Sequence, residues 1–253
     1  MEVTVLGSGS AIPQARRSSS GYWVETSVGS IALDFSASSI KRMADEKLNW
    51  ANLDVIWISH FHLDHLAGVA PFLFGTKYAN ETRLRKKPLR IFGPRGVEER
   101  IKLLSVGFEI STLPFSLEFT EVEPRKKFEI LPGVEAATFS TPHTVESLAI
   151  RIMDANRKSL AYSADTGFTK ELAVFALNAD LFILECGFPE NKPVETHLQA
   201  DEAVWLARAS KAKLTMLTHF FPEWDVADFG AMVEARSGKA KIIEAFDGLR
   251  IEV

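Results

Sequence analysis

Ile58-Ser59-His60-Phe61-His62-Leu63-Asp64-His65-Leu66-Ala67-Gly68 is the stretch on which the reading of this chain turns. It closes the apolar, β-branched run Val55–Ser59, which has the length and composition of a buried strand. In extended backbone His60 and His62 face the same side. Asp64 and His65 follow where the chain turns into a helix, so four side chains of metal-ligand type converge at one strand end. Imidazole nitrogens with a carboxylate oxygen suit Zn²⁺, with Mn²⁺ or Fe²⁺ as alternatives. The chain holds 6 His in 253 residues. With that frequency, a chance window of this kind arises in roughly one sequence in ten thousand.

The remaining ligand-type residues fall at the ends of other strand-like runs. His143 follows Val134–Phe139, Asp165 follows Leu160–Ser163, and His219 follows Leu214–Thr218. Sites in α/β folds gather at such strand ends. Further strand-like runs are Val3–Leu6, Tyr22–Thr26, Ile31–Phe35, Leu89–Phe92, Leu148–Ile152, Leu181–Glu185 and Ile242–Phe246. Helical spacing marks Ser39–Lys47, Gly96–Leu104, Thr169–Asn178, Leu198–Ser210 and Val226–Ser237. Closely spaced early strands and helices between the later ones predict stacked sheets covered by helices.

The His-x-His-x-Asp-His cluster, the lone His143, Asp165-Thr166-Gly167 after a strand and the final His219 resemble the metallo-β-lactamase superfamily over nearly the whole chain. The opening Val5-Leu6-Gly7-Ser8-Gly9-Ser10-Ala11-Ile12-Pro13 is similar to the start of its ribonuclease Z-like branch. The resemblance implies a four-layer αββα sandwich (class α/β), expected as a single domain over residues 1–253, with two divalent ions at one edge. His60, His62 and His143 would hold one ion, and Asp64, His65 and His219 the second. Asp165 would bridge both, and Asp64 would count as catalytic as well as ligating. A shared carboxylate lowers repulsion between two cations, and water held between them loses a proton near neutral pH.

Glu185 and His197 extend this set. In ribonuclease Z-like proteins a comparable Glu and His act together, the His protonating the leaving oxygen. This chain departs from their pattern, with Glu185-Cys186-Gly187 and His197-Leu198-Gln199. Thr196 and Gln199 fit a capping box that puts His197 in the first turn of a helix, where the dipole disfavours its charged form. By resemblance Asp34 steadies the metal site; a helix-entry Asp is the plainer reading. Gly7–Ser10 could bring backbone amides to a phosphate, with Ser18, Ser19, Ser20 and Gly21 at the same edge.

A two-metal site suits in-line attack on a phosphodiester. Ribonuclease Z-like proteins that process transfer RNA carry an RNA-gripping arm, and the 144–164 segment is too short for one. The net charge of −4 and the pI near 5.9 also disfavour RNA. The expected substrate is a small, cyclic-nucleotide-like phosphodiester. The alternative is carbonyl hydrolysis of a lactone, thioester or β-lactam. A flavin-linked oxidoreductase ranks below both, because the ligand set is His-rich.

Composition is that of a globular protein, 46% hydrophobic and 25% charged. Cys186 is the only cysteine; it excludes an internal disulfide and reads as a packing residue. No basic n-region with an apolar stretch opens the chain, and no run of about 18 apolar residues occurs, so the expectation is a cytoplasmic protein without a membrane partner. The basic run Arg83–Lys87 reads as a solvated loop. A homodimer is an expectation from the resemblance alone.

Overall fold

The computed structural model describes residues 1–253. Fourteen strands follow in chain order: β1 (Glu2–Gly7), β2 (Gly21–Thr26), β3 (Gly29–Phe35), β4 (Val55–Trp57), β5 (Leu89–Gly93), β6 (Leu117–Glu121), β7 (Lys127–Leu131), β8 (Val134–Ser140), β9 (Leu148–Met153), β10 (Ser159–Tyr162), β11 (Leu181–Glu185), β12 (Leu214–Thr218), β13 (Ile242–Glu244) and β14 (Arg250–Glu252). They form two seven-stranded sheets, ordered β14-β1-β2-β3-β4-β5-β6 and β13-β12-β11-β10-β9-β8-β7. Each sheet starts as antiparallel neighbours and continues as a parallel run, β3 to β6 in the first and β10 to β13 in the second.

Helices α1 (Ala37–Asp45), α2 (Leu63–Leu66), α3 (Val69–Tyr78), α4 (Val97–Leu104), α5 (Lys170–Phe175), α6 (Ala200–Ser210) and α7 (Phe229–Met232) complete the chain. One core of 45 buried residues joins the facing sheets and continues beneath α5 and α6. A second, of 17, lies between the first sheet and α1, α3 and α4. This is the four-layer αββα sandwich that the resemblance implies. No helix is long and apolar enough to cross a membrane.

Three expectations need correction. The 226–237 segment is not one helix but α7 followed by a 3₁₀ turn, Glu234–Arg236. Strand β4 ends at Trp57, and residues 58–62 continue as non-helical chain up to α2. Arg85, read as solvated, is 7% exposed, because its guanidinium donates to the carbonyls of Ala51, Leu53, Lys87 and Pro88 and lies over Phe115.

Parallel order puts strand C-termini side by side. β8, β10, β11 and β12 run in one direction, so His143, Asp165, Glu185 and His219 emerge at one edge. β3 and β4 bring Asp34 and the 58–65 segment to the facing edge. Gly68 lets the helical end of that segment sit on β3, since a Cβ there would lie 2.1 Å from the Ser36 carbonyl oxygen.

Candidate metal centre

His60 and His62 share a face, as extended backbone requires, and meet His143 from the second sheet. The ligand atoms of His60, His62, His143 and Asp165 lie within 4.8 Å of one another, and those of Asp64, His65 and His219 form a second such group. Asp165 stands between them. Its Oδ2 is 3.7 Å from His60 Nε2 and 3.6 Å from His143 Nε2. Its Oδ1 is 3.3 Å from both His65 Nε2 and His219 Nε2. Asp64 Oδ2 completes the second group at 3.4 Å from His65 Nε2 and 3.5 Å from His219 Nε2.

Hydrogen bonds behind the rings set which nitrogen is offered. His65 Nδ1 donates to Asp34 Oδ2 at 2.6 Å, and His143 Nδ1 donates to the Thr196 carbonyl at 3.0 Å. The Ser59 hydroxyl donates to Asp34 Oδ2 at 2.8 Å, so it accepts from His60 Nδ1 at 2.9 Å. The Nε2 lone pairs of these three rings therefore point inward, as outer-shell partners of metal ligands arrange. His60 Nε2, His65 Nε2, His219 Nε2 and Asp165 Oδ1 are buried without a hydrogen-bond partner. Buried polar atoms left unpaired cost about 1–3 kcal/mol each; convergence of these on two points fits divalent cations of the kind His and Asp ligate.

Charge in the site agrees. Burial pushes the His60 imidazole down to about 2, keeping it in the neutral, ligating form. Burial also opposes charge on His65, but the carboxylates of Asp165, Asp34 and Asp64 outweigh it and raise that group well above its usual value. Three carboxylates thus focus negative potential where the second group converges. Asp165 stays well below the usual carboxylate range despite burial, through His219 and His65.

Three of the chain's nine non-glycine residues with positive φ lie at or beside the centre. Asp34, Ala164 and His219 have φ of 55°, 52° and 59°, left-handed values that are uncommon for residues with a side chain and cluster at functional sites.

Glu185 and His197 do meet, with His197 Nδ1 2.9 Å from Glu185 Oε1. The helix position differs from the one expected. α6 begins at Ala200, its capping box is Gln199 with Glu202, and His197 lies before the helix rather than in its first turn. Burial lowers the His197 pKa, but the Glu185 carboxylate more than reverses this and raises it to about 9. Glu185, 1% exposed, also accepts from the backbone N–H groups of Thr166, Gly187 and Leu198. It therefore fixes the loop carrying Asp165 as well as the ring. Phe221 packs on both His197 and His219. A His197 ring nitrogen, with Asp165 and His219, makes a third close group.

The Gly7–Ser10 amides do not await a phosphate. The N–H of Ser8 goes to Asp247, that of Gly9 to the Ser18 carbonyl and that of Ser10 to the Phe220 carbonyl. Cys186 is buried, as a packing residue should be. Tyr162, missed in the sequence, donates to Asp34 at 2.6 Å across the sheets; only inter-sheet packing creates that contact, so no local pattern announces it.

The chain matches the family described as anti-Pycsar protein Apyc1 over residues 1–244. It is 26% identical over 231 residues to the probable metallo-hydrolase YhfI of Bacillus subtilis, covering 90% of each chain. The solved structure of that metallo-β-lactamase fold protein superposes with a TM-score of 0.82 at 22% identity, covering 100% of this chain and 98% of the other. Ribonuclease Z of Archaeoglobus fulgidus is 23% identical over 305 aligned residues, covering 100% of this chain and 97% of the relative. A diphosphatase of the PhnP family superposes with a TM-score of 0.74 at 22% identity, covering 100% of this chain and 97% of that one.

Proposed function

Because the chain belongs to the anti-Pycsar protein Apyc1 family and is a metal-dependent hydrolase, we propose that it uses two divalent ions, zinc by preference, to hydrolyse a small phosphodiester of cyclic-nucleotide type. The observation that carries this reading is Asp165, whose two oxygens each face a different ligand group. His60, His62 and His143 with Asp165 Oδ2 would hold one ion, and Asp64, His65 and His219 with Asp165 Oδ1 the other. When bound, such ions supply Lewis acidity and activate water for in-line displacement at phosphorus.

The names ribonuclease Z and diphosphatase denote hydrolysis at phosphorus, which supports the substrate class. A cleft of about 830 Å³ opens beside His62 and Asp64. Its walls carry the hydroxyls of Ser18, Ser19 and Ser38 and the apolar Ile12 and Leu63, while its cation, Arg17, is committed to Glu244. A row of backbone phosphates would need free cations along such a wall, so this lining suits a small ester better than an RNA strand.

The chain's own groups then divide the work. Asp34, Ser59 and the Thr196 carbonyl hold the Nδ1 protons of His65, His60 and His143, keeping their ligating nitrogens aimed. Glu185 holds His197 by Nδ1 and leaves the other ring nitrogen toward the cluster. As the phosphorus–oxygen bond breaks, the leaving oxygen takes the proton of that second nitrogen, and the cationic ring becomes neutral, keeping its Nδ1 proton hydrogen-bonded to Glu185.

Metal analysis of protein purified without chelator should find two ions per chain. Zinc-loaded protein should turn over bis-p-nitrophenyl phosphate and 2′,3′- or 3′,5′-cyclic nucleotides faster than a lactone or a chromogenic β-lactam. The reverse order of rates would assign it to carbonyl hydrolysis instead.

A further inference from the structure

Residues 8–20 leave β1 and re-enter β2 across the mouth of the cleft beside His62 and Asp64. They contain no helix or extended strand, only single bridges from Gly9 to Ser19 and to Phe220. An irregular loop over an open cleft needs something to hold it.

The holder lies at the far end of the chain. Asp247 Oδ1 accepts the backbone N–H of Ser8 at 3.0 Å and the Ser8 hydroxyl at 2.8 Å. Asp247 Oδ2 accepts the backbone N–H of Ser18 at 2.8 Å. One carboxylate thus joins the first and last turns of the loop, and its side chain is only 6% exposed. Arg42 from α1 stands 3.4 Å away and balances the charge.

Separate contacts hold the middle of the loop. Arg17 donates to the Ala245 carbonyl, pairs with Glu244 at 2.5 Å, and lies over the Phe220 ring. Phe220, next to His219, gives its N–H to the Ser8 carbonyl and accepts from Ser10 N–H and Gln14 Nε2. Gly7 permits the return of the loop, since a Cβ there would lie 1.9 Å from the Ser19 carbonyl oxygen.

We infer that Asp247 is a positioning residue for substrate binding: it pins both ends of the 8–20 loop, so that the wall of the cleft stands at a fixed place beside His62 and Asp64. The inference rests on the reading that this cleft receives the part of the substrate that does not react. Asp247 reaches neither the ligand groups nor the cleft, so its loss should loosen the wall and leave the centre intact.

The test uses the zinc-loaded full chain with Asp247→Asn and, as the stronger variant, Asp247→Ala. An amide keeps the shape but sets an NH₂ against one of the two backbone donors. Amide hydrogen exchange within 9–19 should rise, with β11, β12 and metal content unchanged. On a 3′,5′-cyclic nucleotide KM should rise about tenfold or more with kcat held within about threefold, the loss of a charge-assisted hydrogen bond. Should the alanine variant not fold, the asparagine variant decides alone. Wild-type exchange with wild-type KM overturns the inference, as does a fall in kcat that tracks lost metal. If the wild type turns over no phosphodiester, the proposed function fails, and the exchange measurement still decides the role of Asp247.

Discussion

Asp34 holds one histidine of each ligand group: its Oδ2 accepts His65 Nδ1 directly at 2.6 Å and reaches His60 through the Ser59 hydroxyl. The same oxygen accepts Tyr162, and Oδ1 accepts the Ser59 backbone N–H. Asp34→Asn keeps the left-handed backbone, which Asn tolerates as well as Asp. It places an NH₂ among groups that can only donate or relay. Affinity should fall at both metal positions, by about 10–100-fold as for other outer-shell partners. Zinc titration of the apo protein checks this; a loss confined to one position would mean that the Ser59 relay carries nothing.

Removing the ions should destabilise the fold. At a free concentration a thousandfold above its Kd, one ion adds about 4 kcal/mol, or about 8–16 °C in Tm for a chain of this size. Calorimetry with and without EDTA should show a drop of at least this order. In Asp165→Ala the shared carboxylate is gone, so metal content and activity should both be lost and EDTA should no longer move Tm. An Asp165→Ala protein that still responds to EDTA like the wild type would place the ions elsewhere.

How far these residues could be read beforehand depended on whether their signal was local. The candidate ligands stand at the ends of short apolar runs that also form the strands, so the convergence of His60 to His65, His143, Asp165 and His219 was legible together with the sheets. Helix α3, Val69–Tyr78, was not: it is apolar nearly all round and contains Pro71 and Gly75, so it lacks an amphipathic period. β6 and β7 escaped notice because they are edge strands with charged, exposed positions. Tyr162 on Asp34 and Asp247 on Ser8 join segments far apart in the chain, and no spacing rule reaches across two sheets.

His197→Ala should keep its metal and lose rate. General acids contribute about 10²–10⁴-fold, and the loss should be greatest for alkyl leaving groups, since p-nitrophenolate departs without a proton. Because a His197 nitrogen lies within 4.8 Å of Asp165 and His219 ligand atoms, metal content separates an acid from a ligand. Wild-type turnover of an alkyl ester by the variant would remove the acid role.

Arg85 offers the converse case, a charged side chain whose work is structural. Its guanidinium bridges the carbonyls of Ala51, Leu53, Lys87 and Pro88, tying the turn before β4 to the approach to β5. Arg85→Ala leaves the buried carbonyls of Ala51 and Leu53 without this donor, at a cost of about 3 kcal/mol, or about 6–12 °C in Tm. Arg85→Lys should recover less than half of this, because an ammonium cannot match the planar fork. Metal content and kcat should stay at wild-type values in both variants, since Arg85 touches no residue of the centre. Tm values measured beside zinc stoichiometry check the separation, and a coupled loss of metal would show that the β4 end bearing His60 depends on this clamp.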